Sequence, residues 1–289
     1  MMKSKNKIII LIFIGLIFCQ GEYQILTTPQ NVFQLSTNGG LSSFINSYNY
    51  SNPSTFDSMN NGYTFNIIHY PSDITMYNFS KNKYSISFLN YGFFESQIQD
   101  ITYQSFTAYE AMIDYNYNKK VRNHIFGFSV GLFHSSIYTY NSFGLSNSIG
   151  INSFYKKINL SLGLSIENFG YILKSYTAYN QKLPLRYRLG VGTQIKDFYL
   201  GYDILYLKHI NEFQHIICLQ FIPSDKITIR LSNTNNYKDL WLDDNLYNFI
   251  SGIGMGFDIN LKNVLINVGF LNLGIAGTVY GTSISFLKN

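Results

Sequence analysis

The stretch Ile158-Asn159-Leu160-Ser161-Leu162-Gly163-Leu164-Ser165-Ile166 decides the fold class. Every even-numbered position in it is apolar, and every odd-numbered position is small or polar. Because successive side chains of a β-strand point to opposite faces of a sheet, this segment has one apolar face and one small or polar face. The alternation therefore predicts a strand whose sheet has different environments on its two sides.

The same alternation recurs along most of the chain, in about fourteen runs. They lie at 63–70, 73–80, 83–91, 106–118, 123–134, 145–155, 158–167, 185–195, 198–208, 213–221, 226–232, 250–260, 264–272 and 278–287. No apolar stretch of 18 or more residues follows residue 20, so the sequence predicts no transmembrane helix. Runs of about ten residues do match the length of a tilted strand that crosses a bilayer.

The connections between these runs alternate in length. The short ones are 80–83, 118–123, 155–158, 195–198, 222–226 and 260–263, and the others include the long stretches 92–105, 168–184 and 233–249. Such an alternation is typical of up-and-down barrels in outer membranes, which have tight periplasmic turns and longer external loops. The sequence therefore predicts an all-β fold, a 14-stranded antiparallel transmembrane β-barrel with both termini on the periplasmic side.

A secreted β-sandwich is the alternative, since its strands alternate as well. A sandwich would bury its apolar faces and need a charged exterior, but only 13% of the residues are charged, against about 25% in typical soluble domains. A barrel whose apolar face meets lipid has no such need. The hydrophobic share of 46% also argues against intrinsic disorder. We therefore expect a bacterial outer-membrane location, with outer-membrane lipid as the barrel's surroundings.

The first 20 residues predict a secretory signal peptide, because three lysines precede the apolar run 8–18. Its removal leaves 18 of the 21 Lys and Arg against 16 Asp and Glu, a net charge of about +2. That balance gives no basic patch, so we expect no nucleic-acid partner. Lipidation at Cys19 is an open alternative, although Phe18 is bulkier than the small residue expected before a lipidated cysteine.

Residues 21–60 lack clean alternation and predict a short N-terminal plug or a periplasmic segment, followed by the barrel at 61–289. Within them, Thr28-Pro29-Gln30-Asn31 followed by Val32 could start a short helix, and Asn38-Gly39-Gly40 would end it. In a barrel of about fourteen strands an unfilled lumen would be a pore, so a segment of this length is a natural plug. A flexible leader is the alternative.

The sequence offers little for catalysis. Its five histidines are scattered without metal-ligand spacing, and the one cysteine after the signal peptide, Cys218, is best explained as a small buried side chain. Gly252, Gly254 and Gly256 alternate along a strand and favour close packing in a barrel over a nucleotide fingerprint. We expect no enzyme activity, cofactor or metal, with an outer-membrane barrel enzyme as the alternative.

Five charged residues fall on the predicted inner face of the barrel. They are Glu167, Arg186, Arg188, Asp203 and Arg230. Charges that face lipid are destabilising, whereas charges in a lumen are tolerated. They either pair across the barrel and maintain its shape, or contact a plug, a cargo or a partner chain. Aromatic residues near strand ends, among them Tyr91, Phe93, Phe94 and Tyr199, suit the girdles at the two membrane interfaces.

Several short motifs carry a resemblance to a known family. The stretch 35–43 with its Gly-Gly element, followed by Asn52-Pro53-Ser54, resembles the start of PorV/PorQ family proteins. The stretches 109–115, 167–176 and 183–190 resemble successive elements of PorQ-type proteins, with an Asn-x-Gly turn, a Tyr-bearing loop and a Leu-Pro-led strand. The motif residues are Gly39, Gly40, Asn52, Pro53, Asn168, Gly170 and Pro184. Ser54 departs from the family's usual Ala, and the C-terminal third has no such motif.

The resemblance implies a FadL-like fourteen-stranded outer-membrane barrel and a component of type IX secretion. On this hypothesis the chain is non-enzymatic and contacts secretion or attachment-complex proteins and secreted cargo. Trp241 and Tyr247 would belong to a partner-binding loop, because rim aromatics flanked by charges suit an interface. A solvated loop whose Trp packs on the rim is the alternative. The alternative is a FadL-like channel for hydrophobic small molecules, which differs in requiring an apolar path and a movable N-terminal segment.

Overall fold

Fourteen antiparallel strands close into a single barrel in the computed structural model, which describes residues 23–44, 51–56, 62–96, 104–177, 181–236 and 250–286. The strands are β1 Tyr63–His69, β2 Thr75–Lys81, β3 Tyr84–Ser96, β4 Gln104–Val121, β5 His124–Ile137, β6 Tyr140–Tyr155, β7 Leu160–Lys174, β8 Arg186–Ile195, β9 Phe198–Leu207, β10 Glu212–Ser224, β11 Ile227–Thr234, β12 Ile253–Leu261, β13 Val264–Asn272 and β14 Thr278–Phe286. Each strand pairs with its neighbours in sequence, and β1 pairs with β14 from Tyr63↔Phe286 to His69↔Tyr280. The predicted fold class is confirmed.

The turns at one end of the barrel are tight. Two residues connect β2 to β3, β4 to β5, β8 to β9, β10 to β11 and β12 to β13. Asn82, Arg122, Lys196 and Lys262 in these turns have positive φ, as two-residue hairpins require. We call the opposite end, which carries the longer connections, the mouth. By the rule for outer-membrane barrels the mouth faces the cell exterior.

The two faces of the barrel wall differ as the alternation predicts. Outward side chains are large and apolar, and Phe65, Ile113 and Leu164 are 44%, 54% and 51% exposed. Inward side chains are small or polar and buried, as Ser85 and Asn152 are. An exterior of exposed apolar side chains on a closed barrel is that of a bacterial outer-membrane protein, since lipid replaces water around it. In the described part of the chain, no helix has the length and apolarity to span a bilayer.

Residues 23–44 and 51–56 lie inside the barrel, and we call them the inner segment. Its helix α1, Val32–Ser36, begins after Asn31, whose side chain accepts a hydrogen bond from Gln34 N–H at 2.8 Å. The helix ends where Asn38 and Gly39 take positive φ, near the predicted stop. The expected short helix is therefore confirmed.

The inner segment packs against the wall in two ways. Its apolar side chains Tyr23, Ile25, Leu26, Val32 and Leu35 form a core with inward side chains of the wall. Elsewhere its backbone lies directly on wall glycines, where no side chain would fit. A Cβ atom on Gly163 would lie 2.5 Å from the Ser42 carbonyl oxygen, and one on Gly127 would overlap the Pro53 backbone. Together these contacts fill the middle of the barrel.

Candidate functional site: the filled lumen and two cavities at the mouth

The predicted lumen charges of β7 and β8 form one buried ion-pair cluster. Glu167 lies between two arginines, with Oε1 2.8 Å from Nε of Arg188 and Oε2 3.1 Å from Nε of Arg186. Both arginines also donate to the inner segment, Arg188 to the Gly39 carbonyl at 2.9 Å and Arg186 to the Leu26 carbonyl at 3.0 Å. Each guanidinium therefore links the wall to the inner segment.

Asp203 on β9 binds the inner segment from another side. Its carboxylate accepts the backbone N–H of Leu41 at 2.8 Å and that of Ser42 at 3.2 Å, and the Ser42 hydroxyl donates to it as well. The residue is fully buried, with 0% exposure. Because an unpaired buried carboxylate is strongly destabilising, these donors make its burial possible.

Arg230 on β11 forms the third wall contact. Its guanidinium pairs with both carboxylate oxygens of Asp258 on β12, and its Nε donates to the Ser36 hydroxyl at 3.0 Å. The guanidinium carbon also lies 4.9 Å from the centroid of the Phe33 ring. The five charged residues named from the sequence thus all lie inside the barrel. Each of them pairs with another wall residue or binds the inner segment.

Most motif residues lie where the inner segment meets the wall, whereas Gly170 lies between two wall strands. A Cβ atom on Gly40 would lie 2.7 Å from Sγ of Cys218, and Gly39 has φ +70. Asn52 donates from Nδ2 to the Ser42 carbonyl at 3.0 Å, and Pro53 lies on Gly127. Asn168, with φ +60, donates from Nδ2 to the Leu26 carbonyl at 2.9 Å and to the Pro184 carbonyl at 3.3 Å. A Cβ atom on Gly170 would overlap the Leu145 carbonyl.

An aromatic cavity of about 460 Å³ opens at the mouth above the start of the inner segment. Its lining includes Tyr23, Tyr91, Phe94, Phe106, Glu110 and Tyr176. Burial raises the pKa of Tyr176 to about 12 and also raises the pKa of Tyr23, so both phenols stay protonated and uncharged at neutral pH. The cavity is concave and mainly apolar with few polar groups, as small-molecule sites are.

A β-bulge in β3 aims two of these rings inward. The register with β4 shifts between Asn90 and Phe93, at Gly92 with φ +83, whose N–H donates to Asn90 Oδ1 at 3.1 Å. Beyond the shift Phe94 faces Phe106, with ring centroids 5.2 Å apart and nearly parallel. Phe93 points outward and is 83% exposed. The girdle prediction is therefore wrong for Tyr91 and Phe94, because a bulge changes which side chains face the interior.

Tyr199 also departs from the girdle prediction. It is 5% exposed and faces the interior, where its hydroxyl lies 2.6 Å from the Ser161 hydroxyl and 3.2 Å from that of Ser43. Its position at an odd number on β9 places it opposite the apolar outward series of that strand, which explains its inward direction.

A second cavity of about 550 Å³ lies beside the first and is more mixed in character. Thr27 to Pro29 of the inner segment line it on one side, and Tyr70, Ile74, Leu207 and Leu273 supply apolar surface at the rim. Arg186 and His209 also line it. Burial, together with the Arg186 charge, lowers the pKa of His209, so its imidazole is neutral at pH 7.

Below the two mouth cavities the free space is small and polar. A cavity of about 130 Å³ lies among Asp114, Asn116, Glu167, Arg188 and the inner segment. Among the described residues, the two mouth cavities therefore border on the inner segment, and the space beyond it is lined mainly by polar groups. Within the described ranges, no group of three or more His, Cys, Asp or Glu residues is placed to hold a metal ion.

The comparisons with known proteins concern the fold. No family model and no curated protein matches the sequence. The P. putida toluene transporter TodX is 12% identical over 91% of this chain and 99% of its own, with a TM-score of 0.52. The TodX deltaS2S3 mutant monoaromatic hydrocarbon channel is 13% identical over 90% and 98%, with a TM-score of 0.57. The Ralstonia pickettii toluene transporter TbuX is 9% identical over 91% and 99%, with a TM-score of 0.52. The fold is FadL-like.

These findings correct the function predicted from the motifs. The prediction of a secretion or attachment component is wrong, because the FadL-like barrels that match are transporters and channels and no comparison supports PorV/PorQ proteins or type IX secretion. The physical reason lies in the motif residues themselves, which serve the packing of the inner segment in this FadL-like barrel. The predicted partner loop with Trp241 and Tyr247, the signal peptide and Cys19 lie outside the described residues.

The aromatic cavity was not predicted. Tyr23 and Tyr176 lie outside the strands, and the inward direction of Phe94 depends on the bulge. The inward direction of Glu110 and Phe106 could have been predicted. Both lie at even positions of β4, on the same strand face as the buried Ala108, Met112 and Asp114. A strand-by-strand assignment of faces would have placed that carboxylate inside the barrel.

Proposed function

We propose that this FadL-like barrel is an outer-membrane channel for hydrophobic small molecules. The observation that carries the proposal is the aromatic cavity at the mouth, which ends on the inner segment. The likeness in fold to hydrocarbon transporters and channels supports it. In this function the cavity is the entrance and the inner segment is the closure.

The cavity favours the transfer of a hydrophobic molecule from water, because it offers apolar surface for the molecule to bury. A small aromatic molecule that buries about 150 Å² of apolar surface gains about 4 kcal/mol, at about 25 cal/mol per Å². The Phe94 and Phe106 rings add edge or stacking contacts. Binding at the mouth therefore needs no polar recognition.

Passage then requires the inner segment to shift away from the wall. The contacts to Arg186, Arg188 and Asp203 are hydrogen bonds to backbone atoms of the segment, with one more from the Ser42 hydroxyl to Asp203. Water can replace such partners during a movement, whereas it cannot replace buried apolar contacts. The polar wall below the mouth is thus compatible with a closure that opens.

The closure can be tested with a reversible lock. In a Gly40→Cys variant the new Cβ atom would lie 2.7 Å from Sγ of Cys218 and 2.8 Å from Cγ2 of Ile216, so a small shift of the segment lets the two cysteines join in the oxidising periplasm. Labelled toluene uptake is measured in host cells without their own hydrocarbon channel, before and after mild reduction. We expect little uptake before reduction and recovery after it. Gly40→Ser, which adds a side chain of similar size without a thiol, is the matched control.

The entrance can be tested on one strand. Ala108→Trp fills the aromatic cavity from β4, whereas Ile113→Trp adds the same ring on the lipid-facing side of β4. We expect the first change to lower toluene uptake at least tenfold and the second to leave it unchanged. If cells that express the unmodified chain take up no more toluene than cells without the protein, the proposed function is wrong.

A further inference from the structure

Glu110 brings a buried carboxylate to the aromatic cavity without a cationic partner. It is 5% exposed, and its oxygens accept the Ile25 N–H at 2.7 Å and the Ser135 hydroxyl at 3.1 Å. Tyr91 also hydrogen-bonds to it. In the described part of the chain, the three ion pairs involve Glu167 and Asp258 as acids, and none involves Glu110.

The described interior holds more acidic than basic side chains. Its acids are Glu110, Asp114, Glu167, Asp203 and Asp258, and its bases are Arg186, Arg188 and Arg230. The three arginines all lie near the other acids, so the two acids without a basic partner, Glu110 and Asp114, both lie on β4. In a barrel interior of low dielectric, an ionised carboxylate attracts cations and repels anions more strongly than it would in water.

The rings around Glu110 supply the second half of a cation site. Tyr23 and Tyr176 lie nearly parallel with centroids 6.2 Å apart, and Phe94 and Phe106 form the other stacked pair. The described lining of this cavity contains no Lys, Arg or His. Aromatic faces attract organic cations, and quaternary ammonium groups are recognised by aromatic cages. Uncharged aromatic rings beside a carboxyl group without a basic partner have the chemistry of such a cage.

We propose that the aromatic cavity binds hydrophobic organic cations, such as aromatic amines and quaternary ammonium compounds, in preference to neutral molecules of the same shape. The carboxylate of Glu110 supplies the charge, and Tyr23, Phe106 and their stacked partners supply the faces. The proposal rests on the proposed channel function and names its substrate class. It also predicts that a carboxylate-bearing analogue is rejected.

Three probe molecules of similar shape separate the contribution of charge to binding from that of hydrophobicity. They are benzyltrimethylammonium, its neutral isostere neopentylbenzene, and the corresponding carboxylate 2,2-dimethyl-3-phenylpropanoate. Binding to the full chain is measured by calorimetry in detergent at constant salt, with empty micelles as the partition control. We expect the cation to bind at least tenfold more tightly than the isostere, and the carboxylate to show no binding.

Glu110→Gln tests the source of the preference. Glutamine keeps an acceptor for the Ile25 N–H, so the inner segment stays anchored while the charge is removed. We expect cation affinity to fall at least tenfold and isostere affinity to stay within twofold. Asp114→Asn is the matched control. Asp114 lies on the same face of β4 and has no basic partner either, but it lines a different cavity. We expect its effect to be threefold or less.

The aromatic contribution is tested by Phe106→Leu, with Phe93→Leu as its outward-facing control on the adjacent strand. The first should weaken cation binding at least threefold, and the second should not change it. Equal binding of cation and isostere, or cation binding that survives Glu110→Gln, overturns the cation proposal. If toluene uptake persists in that case, the channel function stands; if uptake is also absent, both proposals fail.

Discussion

The contact between Asp203 and the inner segment makes a quantitative prediction, because a native thiol reports whether the segment is in place. Cys218 is 1% exposed and donates from Sγ to the Thr37 carbonyl at 3.2 Å. Gly40 lies directly over the sulfur. A thiol reagent therefore reaches Cys218 only when the inner segment has moved away, and the labelling rate measures that movement.

Asp203→Ala removes the acceptor of two backbone N–H groups, those of Leu41 and Ser42. A hydrogen bond to a charged group contributes about 1.5 kcal/mol at the lower end of its usual range, so two contribute about 3 kcal/mol. Since a factor of ten corresponds to about 1.4 kcal/mol, the segment should leave the wall about 100-fold more often. We expect Cys218 to be labelled about 100-fold faster, with the barrel itself intact.

The assay is time-resolved alkylation of the folded protein in detergent, with the Cys218 peptide quantified by mass spectrometry. Heat-modifiable migration on gels shows that the barrel is closed in each variant. Asp225→Ala is the matched control, because Asp225 is an exposed residue in the turn between β10 and β11. Asp203→Asn, which retains one acceptor oxygen, should give an intermediate rate. Acceleration below threefold for Asp203→Ala would show that this carboxylate does not hold the segment.

Other contacts give predictions of the same kind. Asp258→Asn leaves Arg230 buried without its charge partner and should destabilise the barrel by about 3 to 5 kcal/mol in urea unfolding, whereas an unchanged midpoint would refute a structural ion pair. Gly163→Val would press on the Ser42 carbonyl and should raise the sensitivity of expressing cells to a large antibiotic, with no change expected if the segment does not close the lumen. Asn31→Ala removes the α1 cap, worth about 1 kcal/mol, and should speed labelling of the buried thiol about fivefold; an unchanged rate would contradict a role of the cap in holding the segment.

The strands were predictable because side chains that face lipid must be apolar, whereas those that face the packed interior must be small or polar. These two kinds of position alternate along every strand. The differences occur where backbone geometry interrupts the period. β12 begins at Ile253 rather than at 250, because Gly252 has φ +84. β7 continues to Lys174 rather than ending at 167, because the irregularity at Asn168, with φ +60, is followed by renewed pairing with β6. Alternation alone cannot foresee such an interruption or its recovery.

The site was only partly predictable, for a related reason. The wall charges follow the strand period, and the structure places all five of them inside the barrel. The aromatic cavity combines strand residues with Tyr23 and Tyr176, which lie outside the strands, and with Phe94, whose direction depends on the bulge at Gly92. A pattern along one strand contains no information about which distant segment will cover it.

The motif residues show why short sequence elements misled the functional prediction. Gly40 is required by contact with Cys218, Pro53 lies on Gly127, and Asn168 binds the Leu26 carbonyl. Each requirement arises when a barrel is filled by its own N-terminal segment, whatever the barrel does. Such elements therefore report a filled lumen and do not distinguish a secretion component from a channel.

The polar character of the lumen is consistent with a hydrophobic cargo once the positions of the contacts are considered. The apolar part of the inner segment with Ile25, Leu26 and Val32 is anchored by several side chains. Arg188 and Asp203 bind the backbone of the stretch from Gly39 to Ser42, and Leu41 is the one large apolar side chain that this stretch buries against the wall. A hydrogen bond to a charged group contributes about 1.5 kcal/mol net because water offers a replacement partner, while exposing apolar surface has no such compensation. Because the 39–42 stretch buries one large apolar side chain and the part around Ile25 buries several, we expect the 39–42 stretch to leave the wall first. Movement there, with the apolar part still anchored, would open the barrel below the mouth without unfolding the closure.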